Sequence, residues 1–125
     1  MDVYLTAEAG LILKAAGRLS DSPQCGFLIG HRRGPRHFVE SVVPAGADCP
    51  FSCAQVRILE RLFEGRVAGF YIIGGGRGLR NRLLEPQACG KLLLVAGRGR
   101  DAAFKAYTVE FDGRFRLSPI SLISP

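Results

Sequence analysis

The chain has 125 residues, 47% of them hydrophobic and 22% charged, which is typical of one globular domain with its own core. Its net charge of +6 favours acidic or phosphate-bearing partners, but no aromatic platform or binding motif indicates nucleic acid. The sequence has no apolar run of about 18 residues for a membrane-spanning helix and no signal-peptide pattern at its start. We therefore expect a cytoplasmic protein that does not bind membranes.

The first predicted elements are a helix and a β-hairpin. Thr6 is a good N-cap residue and begins a helix that runs to about Leu19. Its apolar residues recur at helical spacing and mark one buried face: Ala9, Ile12, Leu13, Ala16 and Leu19. Residues 25–30 and 37–43 are then predicted as strands, joined by the Arg/Gly/Pro turn at 32–35.

A second helix and four strands are predicted in the rest of the chain. Ser52 forms a capping-box pattern with Gln55, and Gly65 ends the helix. Its expected buried face comprises Val56, Leu59, Leu62 and Phe63. Strands follow at about 66–73, 91–96, 103–111 and 114–118, the last two joined by an Asp-Gly turn. This order predicts an α/β (α+β) domain, in which helices pack on a mixed, curved sheet.

Two segments resemble a known family. The segment CGFLIGH at 25–31 and the segment VAGFY at 67–71 are similar to C-G-L-L-I-G and V-G-W-Y-H-S-H-P of bacterial JAMM/MPN (Mov34/MPN/PAD-type) domains. The predicted order of elements agrees with that family along nearly the whole chain. The resemblance implies a single domain over residues 1–125 with MPN (cytidine deaminase-like) architecture, a mixed curved sheet flanked by helices.

Active members of that family are zinc hydrolases that cut isopeptide or peptide bonds, often in ubiquitin-like or sulfur-carrier proteins. Their motif is His-x-His-x7-Ser-x2-Asp with an upstream Glu. The histidines and the aspartate hold zinc, the glutamate takes a proton from the bound water, and the serine helps to stabilise the oxyanion.

The chemical residues of this motif are almost all replaced here. In the order glutamate, first histidine, second histidine, serine and aspartate, the positions hold Pro23, Ile72, Gly74, Arg82 and Glu85. A single carboxylate does not supply the ligands that such a zinc site needs. The resemblance therefore implies a catalytically inactive domain with no metal or other cofactor. We also expect Ile72 or Ile73 to have joined the core. The alternative is a zinc-dependent peptidase with a non-standard site.

An inactive domain of this kind is expected to bind a protein. The candidates are a ubiquitin-like or sulfur-carrier protein and another MPN domain, so we expect a homodimer or a heterodimer. The apolar residues that the sequence offers for pairing are Leu11, Leu93, Ile120, Leu122 and Ile123. Arg77, Arg80 and Arg82, beside three glycines, could instead bind an acidic peptide or a phosphate, because guanidinium groups donate paired hydrogen bonds to such anions.

The histidines and cysteines offer weaker signals. His31 and His37 flank the first hairpin turn, and we expect them to be exposed or half-exposed rather than metal ligands. Cys49 and Cys53 could form a disulfide or contribute to a zinc site, but free, mostly buried thiols are the simpler interpretation in a reducing compartment. Cys25 belongs to the strand motif and is expected to be a packed thiol.

Overall fold

The computed structural model describes residues 1–19, 24–45, 53–74, 86–96 and 103–123. Within these ranges the chain forms seven strands, two α-helices and one short 3-10 helix. In chain order they are β1 (Asp2–Leu5), α1 (Ala7–Leu19), β2 (Gln24–Arg33), β3 (Arg36–Pro44), α2 (Cys53–Leu62), β4 (Val67–Ile73), the 3-10 helix Pro86–Ala88, β5 (Leu92–Ala96), β6 (Lys105–Phe111) and β7 (Phe115–Ile123).

The strands form a closed barrel in the order β1-β3-β2-β4-β5-β6-β7. The sheet is mixed, because β1 runs parallel to β3 and β7, and β4 runs parallel to β5, whereas the other neighbours are antiparallel. The predicted architecture, an MPN α/β sheet flanked by helices, is therefore wrong. The two α-helices of the described residues are additions to a barrel that accounts for most of the fold.

Strand β1, which the sequence did not predict, is the reason that the sheet closes into a barrel. It has only four residues, in which Val3 and Leu5 are buried and alternate with the half-buried Asp2 and Tyr4. It pairs with β3 on one side and with β7 on the other. A sheet that lacked this strand would have two open edges, and β1 removes both by bridging them.

Helix α1 begins as the sequence predicts. The Thr6 hydroxyl accepts a hydrogen bond from the Ala9 amide at 3.2 Å, so Thr6 is the N-cap. Ala9 and Leu13 are buried, but Ile12 lies partly in solvent, so the buried face is narrower than predicted. Within the described residues, neither helix is long and apolar enough to cross a membrane.

Helix α2 ends at Leu62, and the predicted glycine closes the turn that follows it. Gly65 has φ +76° and donates a hydrogen bond to the Glu60 carbonyl at 2.7 Å, which is a left-handed helix end. Val56 of α2 is buried, with Leu59 and Phe63 packed against the same cluster, whereas Leu62 is exposed.

The core has two parts, one on each face of the sheet. The first draws apolar side chains from all seven strands, as the interior of a closed barrel must, and it includes Ala9 and Leu13 of α1. The second lies where α2 packs on β2, β4 and β5. Along β4, Tyr71 and Ile73 belong to the first cluster and Phe70 and Ile72 to the second. The central strands are thus buried on both faces, which explains their continuous apolar runs.

Candidate functional site

The position expected for the first zinc-binding histidine is a packing position. Ile72 is 1% exposed and belongs to the cluster between α2 and the sheet. It pairs with Cys25 of β2 and Val95 of β5. Ile73, on the opposite face, is fully buried in the barrel interior. The prediction that one of these isoleucines has joined the core is confirmed, and it holds for both.

The position expected for the second zinc-binding histidine directly follows strand β4. Gly74 has φ +75°, and its amide donates a hydrogen bond to the Ala96 carbonyl at 2.8 Å. A residue with a Cβ would be strained in this conformation. Among the residues that the structure describes, no group of three or more His, Cys, Asp or Glu side chains could hold a metal ion.

The remaining predicted site residues lie outside the described ranges. They are Pro23, Arg77, Arg80, Arg82 and Glu85. Neither the loss of the zinc site nor anion binding by the three arginines is therefore tested by the geometry. Both stay predictions.

His31 is half-exposed, as expected, and it takes part in a polar cluster. Its Nδ1 donates to Glu40 Oε1 at 2.6 Å, and its ring stacks on Phe38 with centroids 5.2 Å apart. Arg66 donates to the same carboxylate at 2.8 Å. The hydrogen bond from Arg66, followed by that from His31, lowers the pKa of Glu40. Glu40 is therefore ionised near neutral pH.

His37 contradicts the expectation of an exposed imidazole. It lies on β3 opposite Val3 of β1 and Arg32 of β2, and it is 5% exposed. Burial is the main cause that lowers its pKa, and the charge of Arg32 adds to the effect. The sequence did not show this burial because β1, the strand that covers one side of β3, was not predicted.

The cysteines differ from the expected set of free thiols. Cys25 is disulfide-bonded, so its prediction as a packed thiol is wrong. Cys89 is free and exposed. Cys49 and the side chain of Cys53 lie outside the described part of the chain. Of the four cysteines Cys89 is free, so the bond of Cys25 is not compatible with the Cys49–Cys53 disulfide that the sequence offered as an alternative.

An apolar concavity lies beside α1. It has a volume of about 420 Å³ and is bounded by α1, the end of β1, β7 and the residues before β6. Its apolar wall includes Leu5, Leu13, Phe104 and Leu122. Leu11 stands on its rim with 68% of its surface exposed. We call this feature the α1 groove.

Some of the residues predicted for pairing lie at the α1 groove. Leu11 is exposed and Leu122 lines the groove, so both are available there. Leu93 is fully buried on β5, so its assignment to an interface is wrong. Phe104 was missed, because its place beside α1 depends on contacts across the barrel rather than on a local pattern.

Helix α2 also exposes apolar side chains. Ile58 and Leu62 are 57% and 70% exposed and lie four residues apart, on one face of the helix. A shallower concavity of about 230 Å³ lies between this helix and the β2–β3 hairpin. Ile58 lines it, but Leu62 does not. Each helix therefore presents large apolar side chains to solvent.

Comparisons with known proteins identify a fold but no family. No protein-family model and no curated protein sequence matches the chain. Among solved structures, it is similar to the solution structure of protein DSY2949 from Desulfitobacterium hafniense, with a TM-score of 0.69. The two sequences are 18% identical, and the match covers 98% of this chain and 92% of that one. At this identity the likeness shows a shared fold alone.

Proposed function

We propose that the chain is a non-catalytic protein-binding module and that the α1 groove is its docking surface. The observation that carries this proposal is the combination of an apolar groove of about 420 Å³ with an exposed leucine on its rim. Exposed apolar surface is costly in water, and contiguous patches of this kind usually mark protein-interaction sites. The partner we propose is a second copy of the chain.

The shape of the surface favours self-association. A two-fold symmetric interface brings the same patch of both copies together, so the patch must complement itself. The α1 groove contains both a protrusion, Leu11, and a recess whose wall includes Phe104 and Leu122. In a symmetric pair, Leu11 of each copy would enter the recess of the other.

The charges on α1 fit the same arrangement. Glu8 and Lys14 are exposed and lie three residues before and three residues after Leu11. When two copies of α1 pack antiparallel and cross at Leu11, Glu8 of one helix lies opposite Lys14 of the other. Each pair would then attract, and two such contacts would favour the antiparallel register over a parallel one.

The test is sedimentation equilibrium of the wild type and of two matched leucine variants. Leu11→Lys and Leu62→Lys each place a charge at an exposed leucine of a helix, but only Leu11 borders the α1 groove. We expect the wild type to dimerise at about 100 μM. Leu11→Lys should raise the Kd of the dimer at least about tenfold, which corresponds to about 1.4 kcal/mol of binding free energy. Leu62→Lys should leave the Kd unchanged.

A charge reversal then tests the register. Glu8→Lys places like charges opposite each other and should weaken the dimer, and the double change Glu8→Lys with Lys14→Glu should restore it. A wild type that stays monomeric at about 100 μM would contradict self-association. Dissociation by Leu62→Lys rather than by Leu11→Lys would move the interface to α2 and refute the assignment to the α1 groove.

The disulfide at Cys25 bears on the cellular location of the chain. A cytoplasmic module agrees with the sequence pattern, but stable disulfides are rare in reducing compartments. The bond at Cys25 therefore argues for testing the redox state of this residue in cells. Mass spectrometry after rapid alkylation would measure the fraction that is oxidised.

A further inference from the structure

A second, polar cavity lies at the hairpin end of β2 and β3. Its volume is about 180 Å³, and it shares no lining residue with the α1 groove. Four side chains with nitrogen donors line it, namely His31, Arg32, His37 and Lys91. The other described residues that line it are glycine, alanine and valine, and no carboxylate is among them. We call this feature the hairpin cavity.

Arg32 and Lys91 bring positive charge to the hairpin cavity, although Glu60 partly offsets that of Lys91. Lys91 Nζ is fixed by Glu60 Oε1 at 2.7 Å and by the Val67 carbonyl at 2.8 Å. Arg32 Nε donates to the Gly34 carbonyl at 2.8 Å, which is a neutral acceptor. No ion pair of Arg32 occurs within the described residues. Its charge is therefore available to a ligand.

His37 provides an independent observation that points to a ligand. Its ring lines the hairpin cavity, and its Nε2 is buried without a hydrogen-bond partner among the described residues. A buried polar atom without a partner costs roughly 1–3 kcal/mol, and such atoms are rare in folded proteins. A ligand atom that pairs with Nε2 would remove this cost.

We infer that the hairpin cavity binds a small oxyanion, a carboxylate or a tetrahedral phosphate-like group, held by His37 Nε2, Arg32 and Lys91. Two cationic side chains and an imidazole donor without a partner match the acceptor oxygens of such a group. The unpaired charge of Arg32 disfavours a metal cation. The volume corresponds to about six water molecules, which is enough for one such group but not for a large cofactor.

Proton uptake should accompany this binding. The charged groups that act on His37 are Arg32, which lowers its pKa, and Asp2, which raises it, and Asp2 is itself paired with Arg36 at 2.8 Å. Burial lowers the pKa further, so the free imidazole is neutral near pH 7. A bound anion favours the imidazolium form. Binding should therefore raise the pKa of His37 and be tighter at lower pH.

The experiment is an NMR titration that follows the imidazole carbon and proton signals of His37. Sulfate serves as the tetrahedral probe because its charge stays constant across the pH range, and acetate serves as the carboxylate probe. Sodium chloride at matched ionic strength is the control. We expect a saturable shift with a Kd of about 1–10 mM for at least one probe, and the two titrations distinguish the two classes of anion.

Two neighbouring arginines provide the matched variants. Arg32 lines the hairpin cavity and Arg33 does not, although both are exposed and carry the same charge. Arg32→Gln should weaken binding about tenfold, and Arg33→Gln should change it less than about twofold. Because both side chains are exposed, both variants should fold.

Three results would overturn the inference. The first is a His37 signal that responds to sulfate and acetate no more than to chloride up to about 50 mM, well above the expected Kd. The second is an equal effect of the two arginine variants, which would mean diffuse attraction rather than a site. The third is a bound state in which the pKa of His37 does not rise.

Discussion

Ile72 allows a direct test of the conclusion that its side chain is part of the core. Its side chain is 1% exposed and packs between β4 and α2. Replacing it with alanine removes three carbon atoms, worth about 0.8 kcal/mol each, or about 2.4 kcal/mol of transfer free energy. The cavity that remains adds to this cost, so we expect Ile72→Ala to lower the free energy of unfolding by about 3–4 kcal/mol.

Ile72→Asp should be more severe. It loses the same apolar contacts and also buries a carboxylate, which costs several kcal/mol more when no cation is near. The free energy of unfolding of a domain of this size is about 5–15 kcal/mol, so this variant should be largely unfolded at 25 °C. Its far-ultraviolet circular dichroism spectrum would show the loss of structure.

The assay for the alanine variant is urea unfolding at 25 °C, analysed by linear extrapolation. The measurement must be made without reductant, because Cys25, the β2 partner of Ile72, is disulfide-bonded. Ile58→Ala is the matched control, since Ile58 is exposed on α2 and its loss should cost less than about 1 kcal/mol. A loss below about 1 kcal/mol for Ile72→Ala, or one equal to that of Ile58→Ala, would refute the burial argument.

Three further predictions concern glycine, acid and zinc. Gly30→Ala should lower the free energy of unfolding by more than about 2 kcal/mol, because the added Cβ would clash with a β3 carbonyl. Gly17→Ala on α1 should raise it by about 0.5–1 kcal/mol, because a Cβ there meets nothing within 4 Å. Urea unfolding measures both changes. Burial lowers the pKa of His37 below its ordinary value of 6.5, so the unfolded chain takes up a proton first as the pH falls. The urea concentration at the unfolding midpoint should therefore decrease as the pH falls below about 6.5, and it should decrease less in His37→Gln. The double change Ile72→His with Gly74→His should bind zinc weakly at best by calorimetry, because the first position is buried and the second requires φ +75°; tight binding would contradict this.

Features with local causes were predictable from the sequence. Thr6 at the start of α1 and Gly65 after α2 act through hydrogen bonds to residues three to five positions away, so the sequence alone locates the helix ends. The Asp-Gly turn, Asp112-Gly113, likewise joins β6 and β7 as expected, with Gly113 at φ +92°. Apolar runs located β2, β4 and β5, because these strands are buried on both faces.

Features with long-range causes were not predictable. Closure of the barrel depends on the pairing of Tyr4 with Ile123, two residues at opposite ends of the chain. A four-residue strand such as β1 has too short a pattern to be recognised by periodicity. The burial of His37 and the groove wall at Phe104 follow from the same closure, so they could not be found before it.

The claim that the α1 groove mediates self-association is tested most directly by isotope-filtered nuclear Overhauser spectroscopy on a mixture of labelled and unlabelled chains. The account predicts intermolecular contacts between the Leu11 methyl groups of one copy and the Phe104 ring of the other. Intermolecular contacts confined to Ile58 and Leu62 of α2, or none at about 1 mM, where a useful dimer would be populated, would contradict it.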